Sequence, residues 1–517
     1  MEDKIEFRLM PCLEQRALRT AAVFLWNQDY IRPLTTGFSF RSTLDDYSMN
    51  IWRTKIENKV KEKVSRLLLP ESMKEEILIL IPPIGGEILK WKYYHDAFLN
   101  KKLFEFFLSR NHCWTSLGTI DYKKTAELLV RGPELDIVKR YKLACVYCLR
   151  EDIQSLWESM PKKDKNLFYN EEDANKVGQQ TLIVLWTYII KGEERKLNNL
   201  IKADGNDFTL NQYAFKFAAF NGNIIATKYF FQRLTFEERE KCLVKVAQNV
   251  VYKRRFVSVM DYCQIEFHKR GFTDVLVYLL TQLNREQQRK IFENYAYHIL
   301  SCFCDWPWQD LFLQTAEHMW NFLSKDDYDT LLNRLIENRD KSGYKFQEIF
   351  GNYWLQSPAS FKECIIKKQW NSAGVLSALF KFEDVGNIKL ILRDASAFDK
   401  DRLIRSNIGV RMYHKFIIDD QWHLLRLFIQ ECVLSSEAVV KVKEDYEEFL
   451  KFYGIVQDKW KKPKCDKFYQ ILDDTRMVII KNGECSTMQV DESKANYDNK
   501  RKSVNRITMK KRSKRCK

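Results

Sequence analysis

The stretch FKFAAFNGNIIATKYFFQRL, residues Phe215–Leu234, decides the fold. It predicts a helix, a tight polar break at Asn221-Gly222-Asn223 and a second helix, because glycine and asparagine are favoured where one helix ends and the next begins. Ala218 and Ala219 are small enough to let the first helix pack closely against a neighbour. The stretch therefore predicts a two-helix unit closed by a short turn.

Degraded copies of this pattern recur along the chain. Each copy has an apolar helix, a glycine or an acidic residue at the turn, and an amphipathic second helix. The turn positions are Glu151, Gly192, Gly222, Gly271, Glu383 and Asp420. Their separations are 41, 30, 49, 112 and 37 residues, a spacing typical of stacked two-helix repeats, and the longest gap would hold three units.

A helix pair of this size cannot close a core alone, so its apolar faces must be buried against the next pair. Glycine and proline, which interrupt helices, number only 17 and 10 among 517 residues. Both features favour an all-α fold arranged as an α-solenoid. The alternative is an irregular all-α fold in which the recurring Ala and Gly spacing arises by chance.

Three stretches resemble a known family. FAAFNGNIIATKYFF (217–231) is similar to the inner half of an ankyrin repeat, and KFEDVGNIKLILRDAS (381–396) and IIDDQWHLLRLFIQ (417–430) resemble eroded copies. The Thr-Pro-Leu-His opening of an ankyrin unit is missing and the spacing is irregular. The resemblance implies a solenoid of degenerate ankyrin-like helix-turn-helix repeats, without the regular β-turn fingers of ankyrin arrays.

Changes in composition divide the chain into four regions. Residues 1–90 are predicted to form a helical N-terminal cap that ends near Gly86, and residues 91–450 the repeats. Residues 451–493 read as a polar linker with short ordered pieces, including a β-like run at Thr475–Ile480. Residues 494–517 are predicted to be a disordered basic tail.

The tail carries most of the net charge. Lys494–Lys517 contains eleven Lys/Arg against one acid, so it supplies +10 of the total +16. Such a string can bind a nuclear import receptor or nucleic-acid phosphates, and the plain alternative is a solvated tail. The candidate residues are Lys500, Arg501, Lys502, Lys510, Lys511, Arg512, Lys514 and Arg515.

The chain is expected to be intracellular, in the nucleus or the cytoplasm. Its N-terminus, MEDKIEFRLMPCLEQR, has no apolar core of signal-peptide length. The 13 cysteines are therefore expected to be reduced. The sequence contains no run of about 18 uncharged apolar residues, so no membrane span is predicted.

No constellation predicts catalysis, a metal site or a cofactor. Cys145 and Cys148 form the one CxxC, but lie in apolar helical sequence, where buried free cysteine is common. Gly85-Gly86 is read as a turn rather than a phosphate loop. Trp306-Pro307-Trp308 is read as a buried helix start rather than an exposed aromatic platform.

The composition and repeats favour a non-enzymatic scaffold that binds protein partners on the solenoid surface. The predicted contact residues are turn positions and their neighbours: Asn221, Asn223, Asp384, Asp420 and Gln421. One alternative is a nucleic-acid-associated protein that binds phosphates through the tail. Another is an enzyme whose site is assembled from distant residues.

Overall fold

A computed structural model describes most of the chain, and every regular element in it is helical. The residues described are 4–38, 46–96, 113–133, 135–169, 181–203, 208–260, 265–342, 344–368, 374–454 and 462–481. The one piece of β-structure among them is an isolated antiparallel bridge between Trp114 and Ile120. The all-α prediction is confirmed. In the part described, no helix is both long enough and apolar enough to cross a membrane.

The chain forms two units, Met1–Ile349 and Phe350–Lys517. The first contains α1 (Leu13–Trp26), α2 (Arg32–Gly37), α3 (Asp46–Ile51), a π-helix (Trp52–Glu57), α4 (Asn58–Ser65), α5 (Glu71–Asp96), α6 (Tyr122–Arg131), α7 (Ile137–Val146), α8 (Arg150–Ser159) and α9 (Lys162–Lys165). It continues with α10 (Thr181–Ile190), α11 (Glu194–Ala203), α12 (Leu210–Phe220), α13 (Ile224–Phe231), α14 (Phe236–Met260), α15 (Ile265–Gln282), α16 (Arg285–Cys302), α17 (Phe312–Glu317) and α18 (Lys325–Ser342), with 3-10 turns at Trp308–Leu311 and Trp320–Phe322.

The boundary between the units lies in α19 (Phe346–Gln356). The second unit continues with α20 (Ala359–Lys368), α21 (Val375–Lys381), α22 (Val385–Asp394), α23 (Ala397–Arg405), α24 (Asn407–Ile418), α25 (Trp422–Cys432), α26 (Ser436–Phe452) and α27 (462–481). The four-region division predicted from composition stays a prediction. Its first boundary, at residue 90, lies inside α5.

Helix α5 runs through Pro82-Pro83 and Gly85-Gly86, so the turn expected at the glycines is wrong. Proline removes a backbone donor and disturbs the helix on its N-terminal side. The Trp26 indole, on α1, donates a hydrogen bond of 3.0 Å to the carbonyl of Ile81, directly before the prolines. Trp26 also stacks on Trp52, with ring centroids 5.4 Å apart, and this contact anchors the core of the N-terminal helices.

The two glycines of α5 differ in their surroundings. A Cβ at Gly85 would lie 2.2 Å from the Trp26 ring, whereas a Cβ at Gly86 would meet nothing within 4 Å. Trp26 is only 1% exposed and has little room to move. Gly85 is therefore a helix-packing residue rather than a turn residue.

Five helix pairs share one turn geometry, in which a single residue has positive φ. These residues are Cys148 (φ 53°), Gly192 (71°), Gly222 (67°), Glu383 (52°) and Asp420 (56°). In each turn the next amide donates to the carbonyl five residues back; for Asn223 this is Ala218, at 3.0 Å. The amide of the positive-φ residue itself donates to the carbonyl three residues back. Together these bonds form the Schellman motif, which ends a helix with a left-handed residue.

The residue after the left-handed position begins the next helix. Asn223 and Asp384 are N-caps of α13 and α22, and their side-chain oxygens accept from the amides of Ala226 (3.0 Å) and Asn387 (3.2 Å). Leu149 and Gln421 are N-caps without a side-chain hydrogen bond. Each link is so short that the two helices must pack side by side.

Four of the six predicted turn positions coincide with these turns. The turn predicted at Glu151 lies three residues earlier in the structure. Glu151 is inside α8, and Cys148 is the residue with the left-handed conformation. Gly271 is wrong as a turn, because it lies within α15. It lies against another turn instead: a Cβ at Gly271 would be 2.7 Å from the carbonyl oxygen of Gly222.

Helix α27 corrects one prediction near the C-terminus. The expected β-like run Thr475–Ile480 is helical, and α27 is an ordered piece with a buried face within the predicted linker region 451–493. Cys465, Phe468, Ile471 and Leu472 provide that face, and Phe468 packs on Tyr413 and Tyr446. Lys464 donates to the Ile418 carbonyl (2.7 Å) and to Asp420 (2.6 Å). The predicted tail, residues 494–517, lies outside the described residues.

A buried ion pair braces the middle of the first unit. Arg254 on α14 is 6% exposed and donates to Asp305 (2.8 Å) and to Thr273 on α15 (3.1 Å). Burial alone would raise the pKa of Asp305, but Arg254 lowers it below its ordinary value. The pair therefore remains charged and joins α14 and α15 to the segment that follows α16.

We expect Gly85→Ala to lower the thermal unfolding midpoint and Gly86→Ala to leave it unchanged or raise it. Overpacking against Trp26 costs about 1–3 kcal/mol, whereas Gly to Ala at an open helical position gains up to about 1 kcal/mol. The two variants change the same atoms one residue apart, so each is the control for the other. Equal shifts in the same direction would contradict the packing role of Gly85.

Replacing Glu383 by glycine should stabilise the second unit. A non-glycine residue in the left-handed region costs about 1–2 kcal/mol. Glycine removes this cost, but part of the gain is offset because glycine has more conformational freedom in the unfolded chain. The exposed His423–Glu383 contact of 3.1 Å contributes little. We expect a gain of about 0.5–1 kcal/mol in the free energy of unfolding of the residues around α22, measured by hydrogen exchange. Glu383→Gln, which keeps a side chain at positive φ, should give no gain.

Candidate binding cleft

A cavity of about 510 Å³ lies in the first unit beside the Asn221-Gly222-Asn223 turn. We call it the turn cleft. Its aromatic lining is formed by Phe7, Tyr94, Tyr122, Tyr147, Tyr278 and Trp308, and its charged lining by Lys90, Asp121, Lys228 and Asp274. Cavities of this size that combine apolar walls with a few polar groups are typical ligand sites in proteins.

Two glycines set the position of one wall. Gly222 holds the left-handed φ of the α12–α13 turn, and Gly271 on α15 lies directly against it. Because neither residue has a side chain, the backbones of the turn and of α15 touch. This close approach places the start of α13 and the helical segment Asp274–Tyr278 of α15 in the same cleft.

A buried histidine forms a hydrogen bond with the Tyr147 hydroxyl. His95 is fully buried; its Nδ1 lies 2.7 Å from the Trp91 carbonyl oxygen and its Nε2 lies 2.7 Å from the Tyr147 hydroxyl. A carbonyl only accepts, so Nδ1 carries the hydrogen, and in the neutral ring Nε2 accepts from Tyr147. The Tyr147 oxygen is therefore left to act as an acceptor on its other side.

The tyrosine hydroxyls of the cleft stay protonated at neutral pH. Burial raises the pKa of Tyr94 and of Tyr278 to about 12 each. Burial first, then the nearby Asp274 carboxylate and Tyr94, raises the pKa of Tyr122 further. Burial also raises the pKa of Tyr147 well above its ordinary value. These side chains offer ring faces and hydroxyl groups rather than phenolates.

The charged groups of the cleft have partners within the unit. Asp274 accepts from the Trp308 indole at 2.7 Å. Asp121 caps α6 by accepting from the Lys124 amide at 3.0 Å. Lys90 lies 3.4 Å from buried Glu87. The Lys228 ammonium lies over the Tyr278 ring, 5.3 Å from its centroid.

The five predicted contact residues divide by exposure. Asn221 is exposed at the cleft and donates to the Phe217 carbonyl (2.8 Å), whereas Asn223 is 8% exposed and uses its side chain for the cap and the Val146 carbonyl. In the second unit Asp384 is 1% exposed as a cap. Asp420 is exposed, and the hydrogen bond from Lys464 lowers its pKa, while Gln421 is half-buried. The side chains of Asn223 and Asp384 therefore serve the turns.

The cysteines singled out in the sequence are buried thiols. Burial raises the pKa of Cys145 well above its ordinary value and that of Cys148 to about 12. Neutral thiols are poor metal ligands and nucleophiles. Within the described ranges no cluster of three or more His, Cys, Asp or Glu residues could hold a metal ion.

The Trp306-Pro307-Trp308 motif is divided between core and cleft. Trp306 is 4% exposed, and Pro307 precedes the 3-10 turn Trp308–Leu311, so the expected buried helix start holds for Trp306. Trp308 is half-buried and faces the cleft. The eight candidate residues of the basic tail lie outside the described residues, and their role stays a prediction.

A second cavity, of about 710 Å³, lies between α10 and α13 of the same unit. Several polar groups in it already bind one another. Thr209 donates to Glu238 at 2.6 Å, and the Arg233 guanidinium lies 3.4 Å from the centroid of the Tyr229 ring. The turn cleft is the better candidate because more aromatic residues line it.

Comparison with known proteins assigns no roles to these residues. No family model matches the chain, and the search of curated proteins finds no match. The turn cleft is interpreted from its own geometry. Sequence reasoning identified the turn itself but missed Tyr94, Tyr122, Tyr147 and Asp274, because no spacing in the sequence relates them.

Tyr147→Phe should destabilise the protein, and Tyr278→Phe should not. The first change removes the donor to buried His95 Nε2, and a buried group left without its partner costs about 1–3 kcal/mol. The second removes a hydroxyl at the half-buried edge of the same cleft. Thermal unfolding of both variants tests this difference. Similar midpoints would mean that the hydrogen bond to His95 contributes nothing.

Proposed function

We propose that the protein is a non-enzymatic scaffold that binds protein partners, built as an α-solenoid of degenerate ankyrin-like helix pairs. The observation that supports this most is the turn geometry repeated at Cys148, Gly192, Gly222, Glu383 and Asp420. A repeated unit with a fixed turn presents equivalent edges side by side, and such edges serve as binding surfaces in repeat proteins.

The chemistry of the turn cleft supports binding rather than catalysis. Its tyrosines have pKa values far above neutral, and Asp121 serves as a helix cap. A general acid or base works best with a pKa near the working pH. Aromatic rings with hydroxyl or indole groups are, in contrast, the side chains enriched where proteins bind one another.

The exposed turn residues are the proposed contacts. Asn221 at the cleft, and Asp420 and Gln421 in the second unit, keep side-chain surface at their turns. Asn223 and Asp384 support the same surface by fixing the backbone through their caps. Loop residues held by a rigid scaffold are common binding positions.

The alternative is a nucleic-acid-associated protein in which the tail neutralises phosphates. The +10 charge of Lys494–Lys517 favours it, because phosphate contacts by Lys and Arg give strong, salt-dependent affinity. The same tail could direct the protein to the nucleus through an import receptor. Both roles depend on the tail and not on the helix pairs, so deleting the tail separates them from the scaffold.

A photo-crosslinking amino acid at Asn221 should capture a discrete protein partner in cells that express the full chain. The same label at Leu167, which is 67% exposed and outside the cleft, should not. Capture at Asn221 should persist when Lys494–Lys517 is deleted. The scaffold proposal fails if capture is equal at both positions. It also fails if deleting Lys494–Lys517 abolishes both the capture at Asn221 and a salt-dependent binding to nucleic acid, because the tail would then account for all of the binding.

A further inference from the structure

Three lysines lie close together near the end of α12. Lys216 on α12 is half-buried, and Lys245 and Lys253 on α14 are exposed. We call these three residues the lysine patch. Within the part of the chain that the structure describes, none of them forms an ion pair with a carboxylate. Like charges without counter-ions repel one another, so the patch favours a ligand that brings negative charge.

Aromatic rings position the ammonium groups of the patch. The Lys216 ammonium lies 4.7 Å from the centroid of the Phe208 ring and 5.7 Å from that of Phe220. The Lys253 ammonium lies 5.2 Å from the same Phe220 ring, so this ring brings together cations from two helices. Burial first, and then the charge of Lys245, lowers the pKa of Lys216. Lys245 therefore belongs to the same cluster.

The two helices carry no acid beside the patch. Lys216 is the only charged residue of α12, and every charged residue of α14 from Lys241 to Arg254 is basic. The acids of α14 all precede Lys241. The last of them, Glu240, accepts from Gln287 at 3.1 Å. The surface that α12 and α14 share is therefore positive.

The lysine patch adjoins the proposed contact residue Asn221. Phe220 is the last residue of α12, and Asn221 follows it as the C-cap. The Asn221 side chain is exposed and donates to the Phe217 carbonyl at 2.8 Å, which fixes it at the end of the helix. A partner bound at this turn therefore has the lysine patch as the neighbouring surface.

Two features favour a carboxylate ligand over a nucleic acid. Sites for single-stranded nucleic acid combine cations with open aromatic faces on which the bases stack. At the patch, ammonium groups already lie over the Phe208 and Phe220 rings. All three cations are lysines, which lack the planar fork through which arginine binds phosphate with two parallel hydrogen bonds. The patch thus offers single positive charges rather than a stacking platform.

We propose that the lysine patch binds an acidic segment of the protein partner through Asp or Glu carboxylates. This rests on the proposed scaffold function and names the chemistry of the partner. Lys245 and Lys253 are eight residues apart, which places them about 12 Å apart along the axis of α14. An extended segment rises about 3.3 Å per residue and its alternate side chains share a face, so carboxylates about four residues apart match these two lysines. A carboxylate between them matches Lys216, which is close to both.

A photoreactive peptide tests the ligand chemistry on the full chain. The acidic probe is acetyl-Glu-Ser-Glu-Ser-Glu followed by benzoylphenylalanine amide, and the neutral probe has glutamine in place of each glutamate. The probes are irradiated with the protein at low salt, and labelled residues are identified by mass spectrometry. Labelling of α12 and α14 is thereby counted apart from labelling of the basic tail. We expect the acidic probe to label the two helices about fivefold more than the neutral probe.

Removing the charge of the patch should remove this labelling. The variant Lys216→Gln, Lys245→Gln and Lys253→Gln, with all three changes together, should lower labelling of α12 and α14 by the acidic probe about fivefold or more. Labelling of the basic tail should stay the same and serves as the internal standard. The thermal midpoint of the variant should be unchanged or higher, because the repulsion between the lysines is relieved.

A matched control separates the patch from the net charge of the protein. The variant Lys163→Gln, Lys325→Gln and Lys415→Gln removes the same total charge at exposed positions outside the patch. It should leave labelling of α12 and α14 unchanged. An equal loss in both variants would show that the overall charge, and not the patch, attracts the probe.

Three further results would overturn the inference. Equal labelling of α12 and α14 by the two probes would show that negative charge is not recognised. If an oligothymidylate suppresses this labelling at about tenfold lower concentration than the acidic peptide without its photoreactive group, the ligand is a nucleic acid. If the acidic probe does not label the helices while Asn221 still captures a partner, the ligand class is wrong and the scaffold function stands. If both experiments fail, the scaffold function fails too.

Discussion

The structure depends on one residue in the left-handed region at each of five turns. That residue lets the next amide reach back five positions, which satisfies carbonyls that the helix end would otherwise leave without a donor. The following residue already begins another helix, so no flexible linker separates the two helices. Side-by-side packing, with alanines such as Ala218 and Ala219 fully buried, then follows from the shortness of the link.

The sequence predicts the local part of this arrangement because its causes are local. Apolar spacing predicts the helices, and Gly192, Gly222, Glu383 and Asp420 mark turns through backbone preference or polarity. Cys148 could not be found in this way, because cysteine has no preference for the left-handed region. Gly85 and Gly271 differ from the turns that the sequence predicts there, because their missing side chains make room for Trp26 and for Gly222, which lie far away in sequence.

The turn cleft illustrates the limit of reading along the chain. Its tyrosines come from α5, from the start of α6, from the end of α7 and from α15, and its two carboxylates come from the N-cap of α6 and from α15. No periodicity relates these positions. Contacts with Trp91 and His95 bring the tyrosines of α5, α6 and α7 together, and the packing of α15 against the Gly222 turn adds Asp274. The strand predicted at Thr475–Ile480 is wrong because the preference of Thr, Val and Ile for strands is overridden by the buried helical face at Phe468 and Leu472.

The contact between Gly222 and Gly271 has a mechanical consequence. Most neighbouring elements in a protein meet through side chains, which can change rotamer and absorb a small displacement. Here two main chains meet with nothing between them, so a shift of α15 by a few tenths of an ångström must push the α12–α13 turn by a similar amount. Asp274 and Asn221 therefore lie on two segments whose backbones are in direct contact, so a displacement of one segment is transmitted to the other.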